Sequence, residues 1–195
     1  MLLRTLPQAE GRGLESKSIC ESKGIRVLAE TRHDEHGRPL RSVRVSEERQ
    51  THLIMNGDIN GNKRLFGGRL LEWIDQAAAI TAMRHSGMLI TTASIDNLQF
   101  LAGATVGELL VIEAKLTYVG KTSMEIRVDT YIEERANGIK RPINKAYLTE
   151  VCIDDAGKPV MVPYGISVNT EEERIEYEGA IKRLALRKDR RQKGI

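Results

Sequence analysis

The chain has 195 residues, 41% hydrophobic and only 4% aromatic, with a formal net charge of +3. That size supports one ordinary core with tails, built mostly from aliphatic side chains. No segment is long and apolar enough to span a membrane, and Met1 to Pro7 are too short in apolar residues for a secretory signal. A cytoplasmic protein with no membrane partner is therefore expected. The basic charge is local: residues 180–195 hold seven Lys or Arg and one Asp, which leaves the rest of the chain at −3. The overall balance thus gives no argument for a nucleic-acid partner. Cys20 and Cys152 have neither metal-ligand spacing nor a disulfide pattern. With no HExxH, CxxC, GxSxG or phosphate-loop string, no metal is expected and a serine nucleophile lacks support.

Residues 1–41 form a loosely held leader, apart from a weak hairpin expected between Ile25–Glu30 and Leu40–Val45 around Asp34 to Gly37. A first strand follows at about 48–55, and turn residues fill 56–62. The spacing then predicts a helix over 67–86, with Leu70, Leu71, Ile74, Ala77, Ala78 and Ala82 on one face and Asp75 at its edge. Beyond Gly87 the period becomes strand-like over 90–100, 108–119, 123–133, 144–153 and a short 160–163. Thr170 to Glu173 match a capping box that opens a helix over about 171–190. Its stripe of Ile175, Ala180, Ile181 and Leu184 is expected to pack on the body or on a neighbouring subunit. One long helix followed by antiparallel strands implies an α+β domain over 42–168, a curved sheet wrapped round its helix, with a charged helix and tail over 169–195.

Gly67 and Gly68 open the first helix, where backbone N–H groups lack intrahelical partners and favour negative charge. Without Cβ atoms they let a substrate lie close, a place for a carbonyl oxygen becoming an oxyanion. Asp75 is a carboxylate suited to act as base for water or as nucleophile. At helical rise it lies roughly 12 Å from Gly67, too far to share one reacting carbon. Two antiparallel copies of the helix across a two-fold axis would bring the Gly67 end of one to Asp75 of the other, twice over.

The string Asp58, Asn60, Phe66, Gly67, Gly68, Leu70, Leu71, Asp75, Ala77, Ala78 resembles the signature of the acyl-CoA thioester hydrolases of the hot-dog fold. The likeness continues through Thr92 to Phe100, Tyr118 to Met124, Ala146 to Thr149 and Asp155 to Pro159, covering about 46–163. It implies a hot-dog fold and hydrolysis of acyl-CoA to free acid and coenzyme A, a step of fatty acid metabolism. It also implies homodimers gathered into a hexamer, and no cofactor, coenzyme A being part of the substrate. Carried onto this chain, the resemblance assigns catalysis to Asp75, Asn60, Gly67 and Gly68, and coenzyme A contacts to Gly120, Lys121, Thr122, Ser123 and Asn97. Arg64, Arg69 and Arg84 are further candidates for phosphate. Lys63 stands where the family has glycine, so the turn is expected one or two residues early, at Gly61 and Asn62. Two other readings are a non-catalytic acyl-CoA sensor or scaffold, and a dehydratase using His52 or His85, for which the usual histidine loop is missing.

Overall fold

The computed structural model describes residues 32–194, so Cys20 and the Ile25–Glu30 arm of the expected hairpin lie outside it. In chain order the elements are β1 (Leu40–Ser42), β2 (Glu48–Leu53), α1 (Gly67–Ser86), β3 (Leu89–Phe100), β4 (Leu109–Val119), β5 (Ser123–Glu133), β6 (Lys140–Ile153), β7 (Gly165–Ser167) and α2 (Glu171–Lys193). Five of the strands form one antiparallel sheet in the order β2-β4-β5-β6-β3. Alternate residues point to opposite faces. Leu110, Ile112, Ala114 and Leu116 of β4, Met124, Ile126 and Val128 of β5, and Ala146 and Leu148 of β6 line the inner one, all buried. Across that face lies α1, its Leu70, Ile74, Ala77, Ala78 and Ala82 buried in the same core. The alanines let the helix approach the strands closely. The helix stops where Gly87 adopts a left-handed φ of 70° and donates its N–H to Met83 O at 2.7 Å.

The outer face is held differently. Ile175 and Ile181 of α2 are exposed and only Ala180 of its described residues is buried, so the apolar stripe contributes little to holding this helix on its own sheet. Instead Arg183 and Arg187 each reach Glu125 at 2.8 Å, and Arg187 and Arg190 reach Asp96 at 3.3 and 2.7 Å. Arg127 pairs with Glu176, and the Arg183 guanidinium lies 3.7 Å over the Tyr147 ring. The reason is the sheet itself, whose outward residues on β5 are Glu125, Arg127 and Asp129. The capping box does form: Glu173 N–H donates to Thr170 Oγ1 at 3.2 Å and Thr170 N–H to Glu173 Oε2 at 3.1 Å.

Two segments depart from expectation. The strand expected over 160–163 is reduced to a bridge between Ile153 and Pro159, and regular pairing comes at β7, parallel to β1. Residues 32–42 make defined contacts with the body. Arg38, nearly buried, pairs with Asp34 at 2.6 Å and donates to the carbonyls of Gly120 at 2.8 Å and Val162 at 3.2 Å. A staple made by one arginine leaves no periodic trace in a sequence.

Candidate active site

At the start of α1 the N-cap residue Phe66 offers no side-chain hydrogen bond, and the Gly67 and Gly68 N–H groups have no partner among the described residues. They face the positive end of the helix dipole outward. A cleft of about 410 Å³ opens there, lined by Asn60, Arg64, Gly67, Leu70, Phe100 and Leu101 among others. A Cβ on Gly67 would touch the Phe100 ring at 3.4 Å, and one on Gly68 would come within 2.6 Å of the Phe66 ring. Both glycines therefore have a packing reason as well as a donor to offer.

Asn60 sits in the loop before the helix. Its Oδ1 accepts from the N–H groups of Asn62 at 2.9 Å and Arg64 at 3.3 Å, while its own N–H donates to Arg64 O at 2.7 Å. Lys63 takes the left-handed slot with φ 55°. The turn itself has Gly61 and Asn62 as its central residues, closed by Lys63 N–H to Asn60 O at 3.0 Å, and Lys63 follows in the left-handed region. The Asn60 bonds hold the loop in that shape although a non-glycine residue loses about 1–2 kcal/mol there. Of the three arginines, Arg69 pairs with Asp58 at 3.3 Å and Glu72 at 2.7 Å, and Arg84 pairs with Glu48. Arg64 makes no ion pair among the described residues and lines the cleft.

Asp75 is not part of that cleft. Half-buried two turns along α1, it accepts a 2.7 Å hydrogen bond at Oδ1 from the hydroxyl of Thr92 on β3. Directly opposite Thr92 in the ladder stands Glu150 of β6, its carboxyl oxygens 3.3 and 3.2 Å from the same hydroxyl. Glu150 is 0% exposed. Burial first, and then the charge of Asp75, push its pKa up to about 7. Neither Thr92 nor Glu150 stands out as a site residue in the motif. The signal that was available is an acid placed among inward-facing Ala146, Leu148 and Cys152 of one strand.

The expected coenzyme A residues lie elsewhere. Gly120 to Ser123 turn from β4 to β5 at the end of the sheet where Ser123 opposes Val151 and Leu89 opposes Ile153, beside the C-terminal end of α1. Gly67 lies at the other end, under Phe100. The turn is closed by Gly120 N–H to Ser123 O at 2.8 Å and tied down by Cys152 N–H to Thr122 O at 3.0 Å. Asn97 occupies an irregular stretch of β3 between Asp96 and Gln99. One copy therefore separates the catalytic candidates from one another and from the Gly120 turn: Asn60 lies with Gly67 and Gly68, and Asp75 lies against Thr92. Neither histidine is hydrogen-bonded to Asp75. His52 stacks on Trp73 at 4.2 Å between ring centroids, and His85 is buried with its pKa pushed down to about 4 by desolvation and by the charge of Arg41.

A match to the Thioesterase superfamily covers residues 62–139. The chain is 35% identical to the uncharacterized acyl-CoA thioester hydrolase YkhA of Bacillus subtilis, over 73% of this chain and 82% of that protein. It spans only 26% of the longer acetyl-coenzyme A thioesterases of rat and mouse. Among solved structures, the acyl-CoA hydrolase of Staphylococcus aureus in complex with coenzyme A is 36% identical, with a TM-score of 0.76 over 80% of this chain and 93% of that one. An apo-hexameric acyl-CoA thioesterase is 39% identical, with a TM-score of 0.73 over 77% of this chain and 97% of that one. The Staphylococcus enzyme was studied as alanine variants of an asparagine, an aspartate fifteen residues later and a threonine seventeen beyond that. Asn60, Asp75 and Thr92 carry the same spacing here. Sheet, central helix, motif and relatives agree, and this chain belongs to the hot-dog acyl-CoA thioesterase family.

Proposed function

We propose that this chain hydrolyses acyl-CoA thioesters to the free acid and coenzyme A in the cytoplasm, at a site completed only between two copies. The observation that carries this reading is the separation of parts along one rigid helix. The donors of Gly67 and Gly68 and the carboxylate of Asp75 are roughly 12 Å apart by helical rise, and the cleft at the first does not contain the second. An antiparallel copy of α1 brings the two together across a two-fold axis. Gly67 and Gly68 then receive the carbonyl oxygen as it gains charge, with Asn60 presenting its amide beside them. Asp75, as base for water or as the attacking carboxylate, starts the break of the C–S bond. Gly120, Lys121, Thr122, Ser123 and Asn97 are assigned to the coenzyme A moiety. Water is the second reactant and no cofactor is required.

The matched spacing of Asn60, Asp75 and Thr92 supports the residue assignments, and the hexameric relative supports an assembly of dimers. Replacing Asp75 by asparagine keeps shape and removes charge. Thiol release from acetyl- to palmitoyl-CoA should fall by about 100- to 10,000-fold in kcat while coenzyme A still binds. Undiminished turnover in that variant would end the assignment.

A further inference from the structure

We propose that Glu150 is a positioning residue for Asp75: its neutral carboxyl donates to Thr92, and this directs the single Thr92 proton onto the catalytic carboxylate. The proposal rests on the catalytic reading of Asp75. Its basis is a count of protons. A threonine hydroxyl has one proton and two lone pairs. Around Thr92 Oγ1 stand Asp75 Oδ1 at 2.7 Å and both oxygens of Glu150 at 3.3 and 3.2 Å. Were both carboxyls ionised, one proton would have to serve two anions, and the other would meet only a lone pair. With Glu150 protonated, each proton has its own acceptor: Glu150 O–H donates to Thr92 Oγ1, and Thr92 O–H donates to Asp75 Oδ1. The short leg then carries the charge-assisted bond and the long legs the neutral group, as the distances require.

The surroundings favour that proton. Glu150 is enclosed between Leu148 and Cys152 along β6, with Met124 beside it on β5 and Thr92 on β3. It makes no ion pair among the described residues. The charged group facing it is Asp75 of α1, which is negative. A buried carboxyl beside a like charge keeps its proton well above the ordinary carboxylate range. The result for Asp75 is that Oδ1 is anchored and Oδ2 is left for the reacting water or carbonyl. Ionisation of Glu150 would set a second negative charge behind the site and allow Thr92 to turn away from Asp75.

The test uses the full chain, Glu150→Gln, which keeps a donor without titrating, and Glu150→Leu, which keeps neither. The parent's kcat for a short acyl-CoA should fall on the alkaline side through one ionisation. Glu150→Gln should lose that limb and retain turnover. Glu150→Leu should lower kcat roughly tenfold or more with KM little changed. Infrared difference spectra of the parent between about pH 5 and about pH 9, which spans the shifted carboxyl range, should show a protonated-carboxyl stretch that disappears on titration and is absent from Glu150→Gln. The same alkaline limb in parent and Glu150→Gln, or no protonated carboxyl removed by that substitution, overturns the proposal. If the leucine variant does not fold, the glutamine variant and the spectra decide. Full turnover in Asp75→Asn would sink the catalytic reading and the positioning role with it, a failure distinguishable because the infrared signal does not depend on activity.

Discussion

The two faces of the central sheet are covered by helices of similar length held by different forces. On the inner face α1 packs by dry apolar contact, with Ile74, Ala77, Ala78 and Ala82 all at 0% exposure. On the outer face α2 buries one alanine and is clasped by arginines on Glu125 and Asp96. Apolar burial scales with area and owes little to salt, the buried pairs on Glu125 are screened only weakly, and the exposed Arg190–Asp96 pair is the one that fades as the Debye length shrinks from about 10 Å at 0.1 M to about 3 Å at 1 M. The inner face owes least to ionic strength, and on the outer face the dependence is confined to the rim.

Three substitutions break or sharpen that contrast. The largest effect is expected from Ile74→Ala, which opens a cavity beneath α1 and should cost about 4 kcal/mol in denaturant unfolding, equally at low and high salt. Glu125→Ala comes next. It leaves the Arg183 and Arg187 guanidiniums, both mostly buried, without their shared acceptor, and should cost about 3 kcal/mol. Hydrogen exchange should then report loss of protection in α2 while α1 keeps its own. A loss of protection spread evenly over both helices would contradict the separation argued here. The smallest is Arg190→Ala at the exposed rim of the clasp, where removing one pair with Asp96 should change stability by less than about 1 kcal/mol and by nothing measurable at high salt.

Periodicity carried most of the fold. The bounds of α1 and of β4 and β5 follow from the 3.6- and 2-residue patterns, because each buries one face. β6 begins at Lys140, earlier than the pattern suggests, because Pro142 suggests a strand end. It is accommodated where the register with β5 is irregular, between Thr130 and Tyr131, and where β3 has already ended opposite Asn144. The docking of α2 was hidden for another reason: an apolar stripe attracts attention, and the arginines that bind are spaced on the same helix without changing its hydropathy. At the candidate site the motif placed Asp75 and the two glycines on α1. Glu150 was invisible because its role depends on strand pairing with Thr92, a contact between residues 58 positions apart. The Lys63 departure shows the reverse case, in which a local rule about glycine gives way to the hydrogen bonds of the loop around it.

Those bonds give Asn60 a structural duty beside the chemical one proposed for it. Its carbonyl oxygen is spent on the amides of Asn62 and Arg64 and keeps the loop closed, which leaves only the amide nitrogen to present to a ligand. Truncation to alanine would remove both together and mix a collapsed entrance with a lost donor in one kinetic number. Asn60→Asp retains an oxygen for the loop and deletes the NH2, so it is the substitution that separates architecture from chemistry at the doorway of the helix.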